Sequence, residues 1–124
     1  MEELVARVAG AAGVDADKAK TAIGMILSFL KKEAPGEAVD TLIAQVPGAD
    51  DAMANAGSGG IMGSIGGMMG GGIMGLGSQL MGAGLSMGEI QGVSKELFAY
   101  GREKAGEDVM GQIVGSVPGL SQFV

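Results

Sequence analysis

Apolar residues recur along this chain at helical spacing, and the spacing predicts two sets of three helices. Leu4, Val5, Val8, Ala9 and Ala12 share one face of a first helix, and Gly13 supplies a natural stop. Asp15 stands where a second helix would be capped. The apolar face of that helix is Ala19, Ala22, Ile23, Ile26, Leu27 and Leu30. Lys31 and Lys32 fill its last turn, where cations complement the helix dipole, and Pro35-Gly36 breaks it. A third stripe of Ala38, Val39, Leu42, Ile43 and Val46 ends at Pro47. The plan then returns. Ser86-Met87-Gly88-Glu89 has the spacing of a capping box, and Ile90, Val93, Leu97 and Phe98 follow at helical intervals. Gly106 makes a break, and Val109, Met110, Ile113, Val114 and Val117 form a last stripe before Pro118. All these stripes are expected to be core. β-Branched and aromatic residues form no alternating runs, so no sheet is expected.

Shifted by 71 positions, residues 1–53 lie on 72–124 without a gap. Gly13-Val14 then falls on Gly84-Leu85, Lys31 on Arg102, Glu37 on Asp108, and Val46-Pro47-Gly48 on Val117-Pro118-Gly119. The identities, Ala12, Gly13, Ala34, Val46, Pro47 and Gly48, are mostly breakers and caps, which is where a duplicated helical unit would keep them. The predicted fold is therefore all-α: two pseudo-repeated small helical units, 1–53 and 72–124, joined by a Gly/Met-rich apolar segment, 54–71. A unit of this size buries too little apolar surface alone, so the two should share one core in a helical bundle.

The middle of the chain departs from this pattern. No charged residue occurs from Ala52 to Gly88, and Gly59, Gly63, Gly67, Gly71 and Gly75 recur every fourth position. In a helix they would form a bare ridge that lets another helix approach closely, with Ile61, Met62, Ile65, Met68, Met69, Ile73 and Met74 on the other faces. Each glycine also costs a helix about 1 kcal/mol against alanine, which favours a flexible or irregular linker with a helical C-terminal part. A third arrangement is membrane insertion, because Ile61–Leu85 has the length to cross a bilayer. Pattern alone leaves all three open.

Composition narrows the chemistry. Apolar residues make up 47% of the 124, but only three Phe and one Tyr are aromatic, so the core must be aliphatic. A net charge of −6 leaves no basic stripe for phosphates, and no nucleic-acid partner is expected. The chain has no cysteine and no histidine, which removes disulfides, thiolate sites and the usual general base and zinc ligand. Gly70-x-Gly72-x-x-Gly75 matches a dinucleotide fingerprint, but no strand precedes it, and with glycine so dense a chance match is expected. The acidic pairs Asp15/Asp17, Asp50/Asp51 and Glu107/Asp108 suit helix starts better than metal or acid–base work. No catalytic residue, cofactor or metal is expected. The acidic, amphipathic start Met1-Glu2-Glu3-Leu4-Val5-Ala6-Arg7 is no secretion signal, so a cytoplasmic location is expected; a mature exported form would read the same.

Several stretches resemble a bacterial family of domains of unknown function, the VcgC/VcgE-like proteins. These are Gly13-Val14-Asp15-Ala16-Asp17-Lys18-Ala19 before an amphipathic helix, Leu42-Ile43-Ala44-Gln45-Val46-Pro47-Gly48-Ala49-Asp50, the Gly-rich tract, and Gly84-Leu85-Ser86 opening a second helical pair. The resemblance covers roughly residues 10–117 and rests on structural punctuation. It implies a helical fold and no activity, so no site residue comes with it.

The function expected from these observations is that of a non-enzymatic structural or interaction protein, a homo-oligomer that self-associates through the uncharged tract. The residues expected to carry self-association are Gly63, Gly67, Gly71 and Gly75, with Met68, Met69 and Met74. The alternatives are insertion of residues 61–85 into a membrane and carriage of an apolar small molecule between the helices.

Overall fold

A computed structural model describes residues 2–34, 36–46, 48–49, 51–52 and 72–117. The fold is an all-α helical bundle. Six helices and no strand occur among the described residues: α1 (Glu2–Ala12), α2 (Ala16–Glu33), α3 (Gly36–Ala44), α4 (Gly72–Gly82), α5 (Met87–Lys104) and α6 (Glu107–Ser116).

The boundaries follow local chemistry. Gly13 sits one residue past α1 and Gly84 two residues past α4, with φ of 73° and 100°, a region L side chains avoid. The N–H of Val14 donates to the Ala9 carbonyl, and that of Leu85 to the Leu80 carbonyl, so each glycine closes a Schellman-type end. Before α5 the Ser86 N–H donates to Glu89 Oε1 at 2.8 Å and the Glu89 N–H to Ser86 Oγ at 3.3 Å, a complete capping box. Asp15 holds the equivalent N-cap position of α2, but its side chain makes no cap bond, contrary to the expectation from its type. The residue three further on is Lys18 rather than a glutamate, so no reciprocal box can close there. Past Gly48, the Ala52 N–H donates to the Gly48 carbonyl in a helical turn. Pro47 and Pro118, read from sequence as helix stops, lie outside the described residues.

One hydrophobic cluster runs through all six helices. From α1 come Leu4 and Val8; from α2, Ala19, Ala22, Ile23, Ile26, Leu27 and Leu30; from α3, Ala38, Val39 and Leu42. Leu76 and Leu80 enter it from α4, Ile90, Val93, Leu97, Phe98 and Tyr100 from α5, and Met110 and Ile113 from α6. Full burial of one such aliphatic side chain contributes roughly 1.5–3 kcal/mol.

The principal pairings are α1 with α2 and α5, α4 with α5 and α2, α3 with α2 and α6, α5 with α6, and α2 with α5. Exchange α1, α2 and α3 for α4, α5 and α6, and the same set of pairings is returned. The first helix of each half thus lies against the long helix of the other, and α1 on α5 is the most extensive of all these contacts. The long helices α2 and α5 both have 18 residues and start 71 positions apart.

Candidate functional site

Of the residues expected to carry self-association, Gly63, Gly67, Met68, Met69 and Gly71 lie outside the described residues. Met74 is in α4, its side chain also outside them, and Gly75 is half-buried in the same helix. Residues 72–82 are helical despite four glycines, because Leu76 and Leu80, one turn apart, are buried against the rest of the core. Tertiary burial outweighs the poor propensity here.

The sides of α4 that Leu76 and Leu80 do not occupy carry Gly75, Gly77, Ser78, Gln79, Met81 and Gly82, with no charge among them. A side chain at Gly77 would meet nothing within 4 Å. Met81 and, just past the turn, Met87 are 52% and 51% exposed and stand out as exposed large hydrophobics. They flank Gly84-Leu85-Ser86, of which only Leu85 turns into the core. The α4–α5 turn thus carries two exposed methionines, and Glu89 bonds to it through the Ser86 N–H. Lys18 of α2 reaches it, its Nζ donating to the Gly84 carbonyl at 3.5 Å. A cation at that helix end is favourable.

A second cluster escaped the sequence. Arg7 of α1 bonds Glu103 at 2.8 Å and lies 3.4 Å from Glu96, both on α5. The Arg7 guanidinium lies 5.6 Å from the centre of the Tyr100 ring, and the Lys104 ammonium 5.7 Å from it. These distances fit cation–π contact. The bond to Glu103 raises the Arg7 pKa further above its ordinary value; desolvation opposes this, and the charges of Glu103 and Glu96 add to it. Arg7 and its glutamates are some ninety residues apart in sequence, so no local pattern joins them. The cluster fastens α1 to α5.

The other candidates are dispersed. Gly72 and Gly75 of the fingerprint-like motif are helical and follow no strand among the described residues. Asp15 holds the N-cap position of α2 without a side-chain bond and Asp17 is in its first turn, while Glu107 and Asp108 open α6. Among the described residues no three acidic or metal-ligating side chains gather to hold an ion. No helix among them is long and apolar enough to cross a membrane. The described part of 61–85 is likewise no continuous span, because α4 stops at Gly82 and Leu76, Leu80 and Leu85 point into the protein core.

The class these observations define is a small all-α helical bundle with a largely aliphatic core and exposed methionines on either side of the α4–α5 turn. No family model, curated protein or solved structure matches this chain.

Proposed function

We propose that this chain is a non-enzymatic interaction protein that self-associates through its uncharged Gly/Met-rich side, as a duplicated pair of three-helix units. The observation that carries the reading is the pair of exposed methionines, Met81 and Met87, on either side of the α4–α5 turn. Exposed methionine is adaptable apolar surface, and an uncharged surface next to a run of further Gly, Met and Ile favours burial against a like surface. The 71-residue offset shared by the long helices, and the pairings preserved when the halves are exchanged, support the duplication. A VcgC/VcgE-like relationship is consistent with this helical, activity-free reading.

The test is size-exclusion chromatography with light scattering on the wild type and on Gly67→Leu/Gly71→Leu. The expected result is a multiple of 12.2 kDa for the wild type and a smaller assembly for the variant. An unchanged 12.2 kDa species in both contradicts the reading. Flotation of that monomer with liposomes would assign the tract to lipid instead.

A further inference from the structure

The turn between α4 and α5 is shaped without its methionine side chains. Gly84 takes the left-handed conformation, the Leu85 N–H donates to the Leu80 carbonyl, and Ser86 and Glu89 close the capping box. The side chain that the turn sends into the core is Leu85. The first half builds the same kind of turn. Gly13 is again left-handed, and the Val14 N–H donates to the Ala9 carbonyl. The positions 71 residues before Met81 and Met87 are Gly10 and Ala16, both exposed. A Cβ on Gly10 would meet nothing within 4 Å. The fold therefore requires no large side chain at these places, and only the second turn carries one at each.

The methionines whose side chains are described differ sharply in surroundings. Met110 is almost fully buried, its Sδ lying only 2.6 Å from where a Cβ on Gly101 would stand. Met25 packs against the core. Met81 and Met87 have about half of their surface in solvent. Exposure lets an oxidant reach a thioether sulfur, and the sulfoxide that forms is polar where the thioether was apolar. Adaptable apolar surface is what methionine offers an interface, so the change removes that property.

We propose that Met81 and Met87 are a peroxide-sensitive modification site, whose oxidation to methionine sulfoxide weakens self-association while the bundle stays folded. The effect on assembly rests on the self-association proposed above. The sulfur gives an electron pair to one oxygen of hydrogen peroxide. An S–O bond forms as the O–O bond breaks. The sulfur is oxidised by two electrons, and the second oxygen takes the proton of the first and leaves as water. No bond that shapes the turn is lost, because none involves either thioether. In the assembled form these side chains are covered, so dissociated copies react, and the sulfoxides keep them apart. By mass action, a higher protein concentration then slows oxidation at both positions.

The test treats the full-length wild type and Met81→Leu/Met87→Leu with dilute hydrogen peroxide. Leucine keeps an apolar side chain of similar volume but has no sulfur to oxidise. Sulfoxide is located over time by peptide mass mapping, assembly by light scattering and helix content by circular dichroism. Sulfoxide should appear at Met81 and Met87 ahead of Met110, with helix content unchanged. The wild type should shift toward 12.2 kDa, and the leucine variant should keep its mass. Methionine sulfoxide reductases should restore the wild-type mass. Sulfoxide at Met110 as early as at Met81 and Met87 overturns the site. Equal loss of mass in wild type and variant places the effect at other methionines and overturns it too. Oxidation of Met81 and Met87 with the mass unchanged contradicts this inference alone, whereas a wild type already at 12.2 kDa before peroxide is added contradicts the self-association beneath it.

Discussion

The helices α1 and α4 open equivalent halves of this molecule and meet equivalent partners, yet they are held in different ways. α1 has Arg7 bonded to Glu96 and Glu103 and a close approach at Gly92, and it makes the most extensive contact in the bundle. α4 has no charged residue and four glycines, and Leu76 and Leu80 are its buried side chains among the described ones. Its far side is free of charge and ends beside exposed Met81 and Met87. Similar helix plans can therefore serve two purposes. α1 is fixed on α5 by shape and charge, while α4 is buried through Leu76 and Leu80 and exposes Met81.

The contrast can be broken most severely at the anchor of α4. Leu80→Ala should destabilise by about 2–5 kcal/mol in urea unfolding, since Leu80 is almost fully buried. A cost no larger than that of an exposed-surface change would mean α4 is not docked through this residue. Copying the other half's residue into the close approach, Gly92→Thr, should cost about 1–3 kcal/mol by overpacking against Ala12. The reverse change, Thr21→Gly, should cost no more than the roughly 0.5–1 kcal/mol that glycine imposes on a helix. Equal effects at the two positions would erase the asymmetry.

Smaller differences sharpen it. Ser86→Ala should cost about 1 kcal/mol through loss of the capping box, and Asp15→Ala distinctly less, because Asp15 makes no cap bond. Arg7→Met should have the smallest effect on stability, its partners being partly exposed, but it should remove part of the salt dependence of unfolding. Identical salt dependence in wild type and variant would mean that the cluster holds α1 by packing alone.

Much of this architecture was legible in the chain. The stripes on α2 and α5 are buried as their spacing predicts, from Ala19 to Leu30 and from Ile90 to Phe98, because long amphipathic helices declare their faces locally. Gly13, Gly84 and Ser86-Glu89 mark ends by rules that need no tertiary information. α4 was harder, since its glycines argue against a helix and only burial of two leucines against a distant element reverses that. The α1–α5 contact was not legible at all. Gly92 reads as one more glycine inside a helix, and the salt links of Arg7 depend on which helix of the other half it meets. The uncharged run through α4 is visible in the sequence, but that Met81 and Met87 face outward while Leu85 turns inward is set by the turn at Gly84.

The central claim, that the uncharged side of the molecule is an association surface, is tested most directly by light scattering across a concentration series on the wild type and on Met81→Lys/Met87→Lys. Both positions are exposed, so the variant should keep its fold. The account predicts a wild-type mass above 12.2 kDa that rises with concentration, and a variant held closer to 12.2 kDa. A wild type that stays at 12.2 kDa throughout, or a variant that assembles as fully as the wild type, would contradict it.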